Sequence, residues 1–282
     1  MDLKKMSTPN FEQPNPYSIV VRLACLASLL VGSSSVSRAD PPPEHAGKPE
    51  HAGKNVTRID LSHWKLTLPT DSSGNYGGHA SEVSAQRLVA GFTDSHFYAD
   101  PDGTIVFWCP VAGARTDGTK FPRCELREML KPGDEDTNWT STGTHILRAR
   151  CRLTQLPSNP KVVIGQIHGY TGEARPLIKL QYFRDHIEAL VKISPNSGKD
   201  RKLTFADVQV GEDIRYEIKV QDNMLFVTVN GETHSEDLQK NDPDWLRQTL
   251  YFKAGVYSQD NEGPLTEGAK AVFTELTVTH HE

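Results

Sequence analysis

The sequence predicts an all-β protein, a sandwich or barrel, and three observations carry that reading. From Asp60 onward, apolar and polar residues alternate with period two in run after run, the mark of half-buried strands. Gly, Pro, Asp and Asn clusters separate the runs, and no long helical pattern alternates with them. After residue 56 the composition does not break, so 57–282 reads as one domain.

In chain order, HWKLTLP (63–69) opens the series and ends at a proline, and SEVSAQRL (81–88) has the spacing of a short helix. TIVFWCPV (104–111) and FPRCELREML (121–130) follow as strands around a loop containing Gly113 and Gly118. HILRARCRL (145–153), KVVIGQIH (161–168), LIKLQYF (177–183) and IEALVKI (187–193) continue the alternation. IRYEIKV (214–220) and MLFVTVN (224–230) come next, and Asn230-Gly231 is a tight-hairpin signal. DLQKNDPDWL (237–246) reads as a second short helix before the strands LYFKAGVY (250–257) and KAVFTELTV (270–278).

The N-terminus has the form of an export signal. Lys4 and Lys5 precede an apolar stretch from Leu23 to Gly32, and Ser37-Arg38-Ala39 is a small-x-small cleavage site. Residues 1–39 are expected to be removed, Cys25 with them, giving a secreted protein. Residues 40–56, proline-rich and containing a repeated EHAGK, read as a linker. His45 and His51 belong to that spacer. Asn55-Val56-Thr57 and Asn138-Trp139-Thr140 are glycosylation sequons. No apolar run reaches membrane-span length, and no membrane partner is expected. The mature chain holds 27 basic against 34 acidic residues, formally −7. It has no global attraction for nucleic acid, and a polyanion would need a local basic groove.

Three runs keep an unusual set of polar residues on one side. In 121–130, Arg123, Glu125 and Arg127 share a face while Cys124 and Leu126 point inward. Gln166 and His168 share a face opposite Ile167, and Tyr251, Lys253, Tyr257 and Gln259 share the parity of Gly255. Alone, each is compatible with a solvated strand face carrying a weak ion pair; together they assemble guanidinium, carboxylate, amide, imidazole, ammonium and phenol.

R-x-E-L-R, Q-I-H and Y-F-K-A-G-x-Y-x-Q, in that order, resemble the signature motifs of the alginate lyases of polysaccharide lyase family seven, and WKLTLP (64–69) is similar to that family's first strand. The resemblance spans roughly residues 57–282. Cys124 replaces the family's usual Ser or Thr and Ser258 its frequent Asn, both at core-facing positions. The resemblance implies a concanavalin-like jelly-roll β-sandwich with a cationic groove on its concave sheet. It also implies an endolytic lyase acting on an anionic polysaccharide as a monomer; with Arg and Gln carrying the charge, the elimination itself needs no cofactor or metal, a structural calcium aside. Ile167 in the middle of Q-x-H accompanies, in that family, action on guluronate-containing blocks.

The chemistry such a lyase performs fits the residues. Removing the C5 proton, α to a uronate carboxylate, places a second negative charge beside the first. Donors aimed at the carboxylate offset it, each worth about 2.7–4 kcal/mol by analogy with oxyanion holes. The roles implied are Arg123 and Gln166 on the carboxylate, His168 beside them or as base, and Tyr257 as proton donor to the leaving oxygen. A tyrosine base would need its pKa depressed, a task for Arg127 and Lys253. Glu125 is expected to orient Arg123 and Arg127, Arg127 to attract and bind the polyuronate through its charge, and Lys253 and Gln259 to bind neighbouring sugars.

Rival readings are a glycoside hydrolase, a non-catalytic carbohydrate-binding module and a lyase acting on another polyuronate such as glucuronan. A hydrolase needs two carboxylates on one face, whereas Glu125 and Glu128, three apart on a strand, face oppositely. His280-His281 reads as a frayed tail, and no zinc, nucleotide or phosphate motif is present. Cys109 and Cys124, on consecutive strands, are expected to be set side by side by a hairpin and to form a disulfide, leaving Cys151 buried and free.

Overall fold

Why the alternation works is visible in a computed structural model describing residues 57–173 and 175–282. The expected signal and linker, with Cys25, His45, His51 and the sequon asparagine Asn55, lie outside the described residues. In chain order the elements are β1 (Trp64–Thr67), β2 (Glu82–Val83), α1 (Ala85–Val89), β3 (Phe97–Ala99), β4 (Ile105–Pro110), β5 (Arg123–Glu128) and β6 (Thr144–Gln155). Then come β7 (Lys161–Gly169), β8 (Pro176–Phe183), β9 (His186–Lys192), β10 (Asp200–Asp207), β11 (Ile214–Gln221), β12 (Met224–Val229) and β13 (Glu232–Asp237). After α2 (Leu238–Asn241) and a 3-10 turn (Pro243–Arg247), β14 (Leu250–Ser258) and β15 (Gly268–His281) complete the set.

The strands form two antiparallel sheets, ordered β10-β9-β8-β7-β14-β5-β1-β2 and β13-β12-β11-β6-β15-β4-β3. Inward residues of both, among them Leu66, Leu126, Phe252, Phe107, Leu147 and Phe273, make one buried core. Its burial is the main favourable term holding the sheets together. Every strand read from the alternation is present, and all four strands it missed, β2, β3, β10 and β13, are sheet edges. Edges are kept short or polar to block further pairing, which erases the alternation. The 81–88 run divides into β2 and α1, with Ser84 capping the helix, and the 237–246 run breaks at Asp242-Pro243 into α2 and the 3-10 turn. Asn230 and Gly231 both have positive φ, as the tight hairpin between β12 and β13 requires.

Two expectations are overturned. Cys109 and Cys124 are both free, as is Cys151. β4 and β5 are consecutive but lie in opposite sheets, so no hairpin sets the two thiols side by side. Cys109 Sγ turns to Pro110 O and Cys124 Sγ to His96 O. His280 and His281 are not a frayed tail: both pair with β6 at the end of β15.

Two glycines set the strand faces where chemistry will matter. Val162, Ile164 and Ile167 all face the core, so β7's alternation slips by one at Gly165, where its pairing with β8 also shifts. A Cβ on Gly165 would meet the Tyr216 ring at 3.0 Å, and Tyr216 Oη donates to Ile164 O. The slip turns Gln166 and His168 outward. On β14, Gly255 sits at a shift in pairing with β7, with φ 135°. A Cβ there would lie 2.8 Å from Cys124 O, a backbone atom that cannot swing aside.

Gly255→Ala is therefore expected to destabilise the protein by about 1–3 kcal/mol, from backbone strain alone. Thermal unfolding against the parent checks this; an unchanged midpoint would show that the strand tolerates a side chain there.

Candidate active site

The outward faces of β5, β14 and β7 are adjacent, and register brings their polar residues into rows. Tyr257 lies opposite Arg123, Gly255 opposite Glu125, Lys253 between Arg127 and Gln166, and Tyr251 opposite His168. Glycine at 255 leaves the space over Glu125 free of a side chain, and its neighbours converge there.

Glu125 is the centre, 1% exposed. Its Oε2 accepts from Lys253 Nζ at 2.5 Å and from Arg123 Nη1 at 3.2 Å, and its Oε1 accepts from Gln166 Nε2. Burial opposes the Glu125 charge, but Lys253 and Arg123 outweigh it and hold the carboxyl below its usual range. Lys253 is pushed down to about 8, by burial and then by Arg123, with Glu125 opposing. Two cations share one carboxylate here. Arg123 Nε is buried without a hydrogen-bond partner.

Tyr257 and His168 flank this centre. The Arg123 guanidinium lies 3.9 Å from the Tyr257 ring centroid, and Phe121 packs edge-on against the same ring. Burial raises the Tyr257 pKa, only partly offset by Arg123. This reverses the expectation that Arg127 and Lys253 depress it. His168 donates from Nδ1 to Gly169 O at 2.8 Å, which leaves Nε2 as a free acceptor, and its ring stacks on Tyr251. Burial, followed by the charge of Lys253, pushes His168 down to about 4. At neutral pH the site thus holds a neutral imidazole and a protonated phenol.

Arg127 belongs to a different arrangement. Its Nη2 donates to Glu135 O at 2.9 Å and to Asn138 Oδ1 at 3.0 Å, its Nη1 to Glu128 O at 2.8 Å, and its guanidinium stacks 4.1 Å from the Tyr251 ring centroid. Glu125 orients Arg123 but has no hydrogen bond with Arg127, so half of that expectation is corrected. Glu128 turns to the other face, as expected, and accepts from Trp139 Nε1 and Phe252 N.

A cleft of about 870 Å³ lies over these residues. All the expected groups except Glu125 line it directly, and eight basic against four acidic side chains line it in all. Sequence reasoning missed Lys65, Phe121, Tyr170, Lys179 and Lys192 as lining residues; the parity of Lys65 with Thr67, and of Lys179 with Gln181, was the available signal. Lys65 bridges Glu82 and Glu135 at one side of the cleft. Among the described residues, no cluster of three His, Cys, Asp or Glu has metal-ligand geometry.

The sequence profile of the alginate lyase family (Alginate_lyase2) matches residues 59–280. The chain is 38% identical to alginate lyase A1-II', a member of polysaccharide lyase family 7, covering 79% of this chain and 96% of that one, with a TM-score of 0.72. Variants of A1-II' have been solved with a GGG product and with a GGMG substrate. The alginate lyase of Pseudomonas aeruginosa is also 38% identical, over 79% of this chain and all of that one, with a TM-score of 0.71. An alginate lyase of Klebsiella pneumoniae is 28% identical over 79% of this chain and 90% of its own length.

The charge arrangement is open to direct titration. His168 is expected to titrate with a midpoint of about 4 by nuclear magnetic resonance. Lys253→Met, which removes a cation from its surroundings, should move that midpoint upward. A wild-type midpoint near the ordinary value of about 6.5 would show an imidazole exposed to water.

Proposed function

This chain belongs to the alginate lyase family, and from that premise we propose that it depolymerises alginate by β-elimination. We further infer that it cuts within the chain, favours guluronate-containing blocks, and is exported by its N-terminal segment. The observation that carries the chemistry is the buried Glu125 cluster, which holds Arg123 and Gln166 beside a neutral His168 and a protonated Tyr257.

Each group has a task the geometry suits. A uronate carboxylate entering the cleft meets the Arg123 side chain and the excess positive charge of Arg123 and Lys253 over Glu125. Fixed donors there stabilise the dianion that forms as C5 loses its proton, without reorganisation at the moment of reaction. His168 Nε2 takes the proton, since Nδ1–H is committed to Gly169 O. Tyr257, kept protonated by burial, delivers its proton to the 4-linked oxygen as the C4–O bond breaks. An unsaturated uronate is left at the new non-reducing end.

Preference for guluronate draws support from this division of labour. In guluronate the C5 proton and the 4-linked oxygen lie on opposite faces of the ring; in mannuronate they lie on the same face. A separate base and acid serve the first case, whereas a single group serving both roles suits the second. The high pKa direction of Tyr257 disfavours that second role.

Incubation with polyguluronate, polymannuronate and glucuronan, followed by the ultraviolet absorbance of unsaturated ends, tests the proposal. Fastest release from guluronate-containing polymer is expected. Binding without absorbance would mean a carbohydrate-binding module, and fastest release from glucuronan would move the substrate to another polyuronate.

Tyr257→Phe is expected to lower kcat by about 10²–10⁴-fold with little rise in KM, the loss of a general acid acting in the transition state. Kinetics on oligomers, with folding checked by thermal melts, decide it. Retention of more than about a tenth of kcat would make Tyr257 a cleft wall.

A further inference from the structure

On the core side of β5, behind Arg127, a second buried carboxylate is tied into a chain of hydrogen bonds reaching the C-terminal strand. Glu128 is 2% exposed. Its Oε2 accepts from Trp139 Nε1 at 3.0 Å and from Phe252 N at 2.8 Å. Its Oε1 meets His280 Nε2 at 2.5 Å, His280 Nδ1 meets His145 Nδ1 at 2.8 Å, and His145 Nε2 meets Thr142 O at 2.7 Å. Trp139 stacks on the His145 ring at 4.4 Å.

Counting protons along this chain gives a definite result. Three consecutive hydrogen bonds need three protons, and the last, to a carbonyl oxygen, must come from His145 Nε2. A carboxylate and two neutral imidazoles hold two. Without a third, either the Nδ1 lone pairs of His145 and His280 face each other at 2.8 Å or the Nε2 lone pair of His280 faces the Glu128 carboxylate at 2.5 Å. Closing all three bonds takes a third proton, one that would offset the buried Glu128 charge. Burial pushes His145 down, so His145 is the acceptor in the middle bond and His280 the donor.

Glu128 touches both supports of the Arg127 stack. Through Trp139 it fixes the segment whose Glu135 and Asn138 hold the Arg127 guanidinium, and Trp139 also exchanges backbone hydrogen bonds with Leu250. Through the Phe252 amide it fixes β14 beside Tyr251, on which Arg127 and His168 both stack. We propose that Glu128, tied to His280 and His145 through a shared proton, is the positioning residue for Arg127 and Tyr251. The C-terminal strand thereby sets substrate affinity from the opposite side of the sheet. This rests on the reading of Arg127 as a partner of the polyuronate.

Two measurements on the full chain test it. In ¹⁵N-labelled wild type, one proton coupled to Nδ1 of both His145 and His280 is expected; two unprotonated Nδ1 atoms with no shared proton would overturn the bridge. The Arg127 guanidinium protons should exchange slowly in wild type and quickly in His280→Ala, and unchanged exchange would overturn the positioning role whether or not the protein cleaves any polymer. In kinetics on alginate, His280→Ala should raise KM about tenfold, equivalent to about 1.4 kcal/mol, with kcat little changed. His280→Gln, which keeps a donor for Glu128, should recover most of that loss. Arg127→Ala combined with His280→Ala should raise KM no further than Arg127→Ala alone, and additive losses would refute the coupling. If His280→Ala does not fold, His145→Ala, which removes the far end of the bridge, carries the same expectations. Absence of turnover on every polyuronate would count against the function proposed above and leave the two resonance measurements to decide this one.

Discussion

The site depends on one buried carboxylate, Glu125, shared by Arg123, Lys253 and Gln166. A lone charge at 1% exposure would be costly, and taking away one member of a buried pair leaves the other uncompensated, at about 3–5 kcal/mol. Three neighbouring strands must therefore keep their register for Glu125 to stay charged. In return, Glu125 fixes the directions of a guanidinium, an ammonium and an amide, three groups with many rotamers of their own. Rigid placement of donors before substrate arrives is what makes them effective against charge that develops only in the transition state.

The same cluster explains how a chain with a formal charge of −5 can present a site suited to a polyanion. Two cations against one buried anion leave a net positive charge in a poorly solvated place, where it acts more strongly than charge dispersed over a wet surface. Burial first, and the crowding of cations second, drive Lys253 down to about 8 and His168 to about 4. Burial and this arrangement of charge together keep the imidazole unprotonated.

Most of the sandwich and the core of the site were legible in the sequence because both rest on parity. Arg123, Glu125 and Arg127 alternate with Cys124 and Leu126, and the structure places them as that alternation says. What parity could not show was the partner of each outward group. Arg127 turns to a loop carbonyl and to Asn138 eleven residues on, and Lys253 goes under the surface to Glu125. The cysteine pairing failed for a related reason: Cys109 and Cys124 are on strands consecutive in the chain, yet the chain crosses between sheets there. Sheet membership is a property of the whole topology, and no local pattern records it. The edge strands were silent because solvent lies beside them; DRKLTFAD in β10 has only Phe205 fully buried.

The breaks in alternation are as informative as the alternation itself. Counted strictly by twos from Val162 and Ile164, Gln166 and His168 would fall inside the core, where an amide and an imidazole would lack partners. The slip at Gly165 prevents this, and it is possible only because Tyr216 from the opposite sheet fills the space a side chain would take. On β14, the shift at Gly255 lets the strand keep register with β5 while its pairing with β7 slips by one. Bulges of this kind re-aim side chains at the cost of local ladder hydrogen bonds. Here two glycines, neither with any chemistry of its own, decide that groups from three strands meet over one carboxylate.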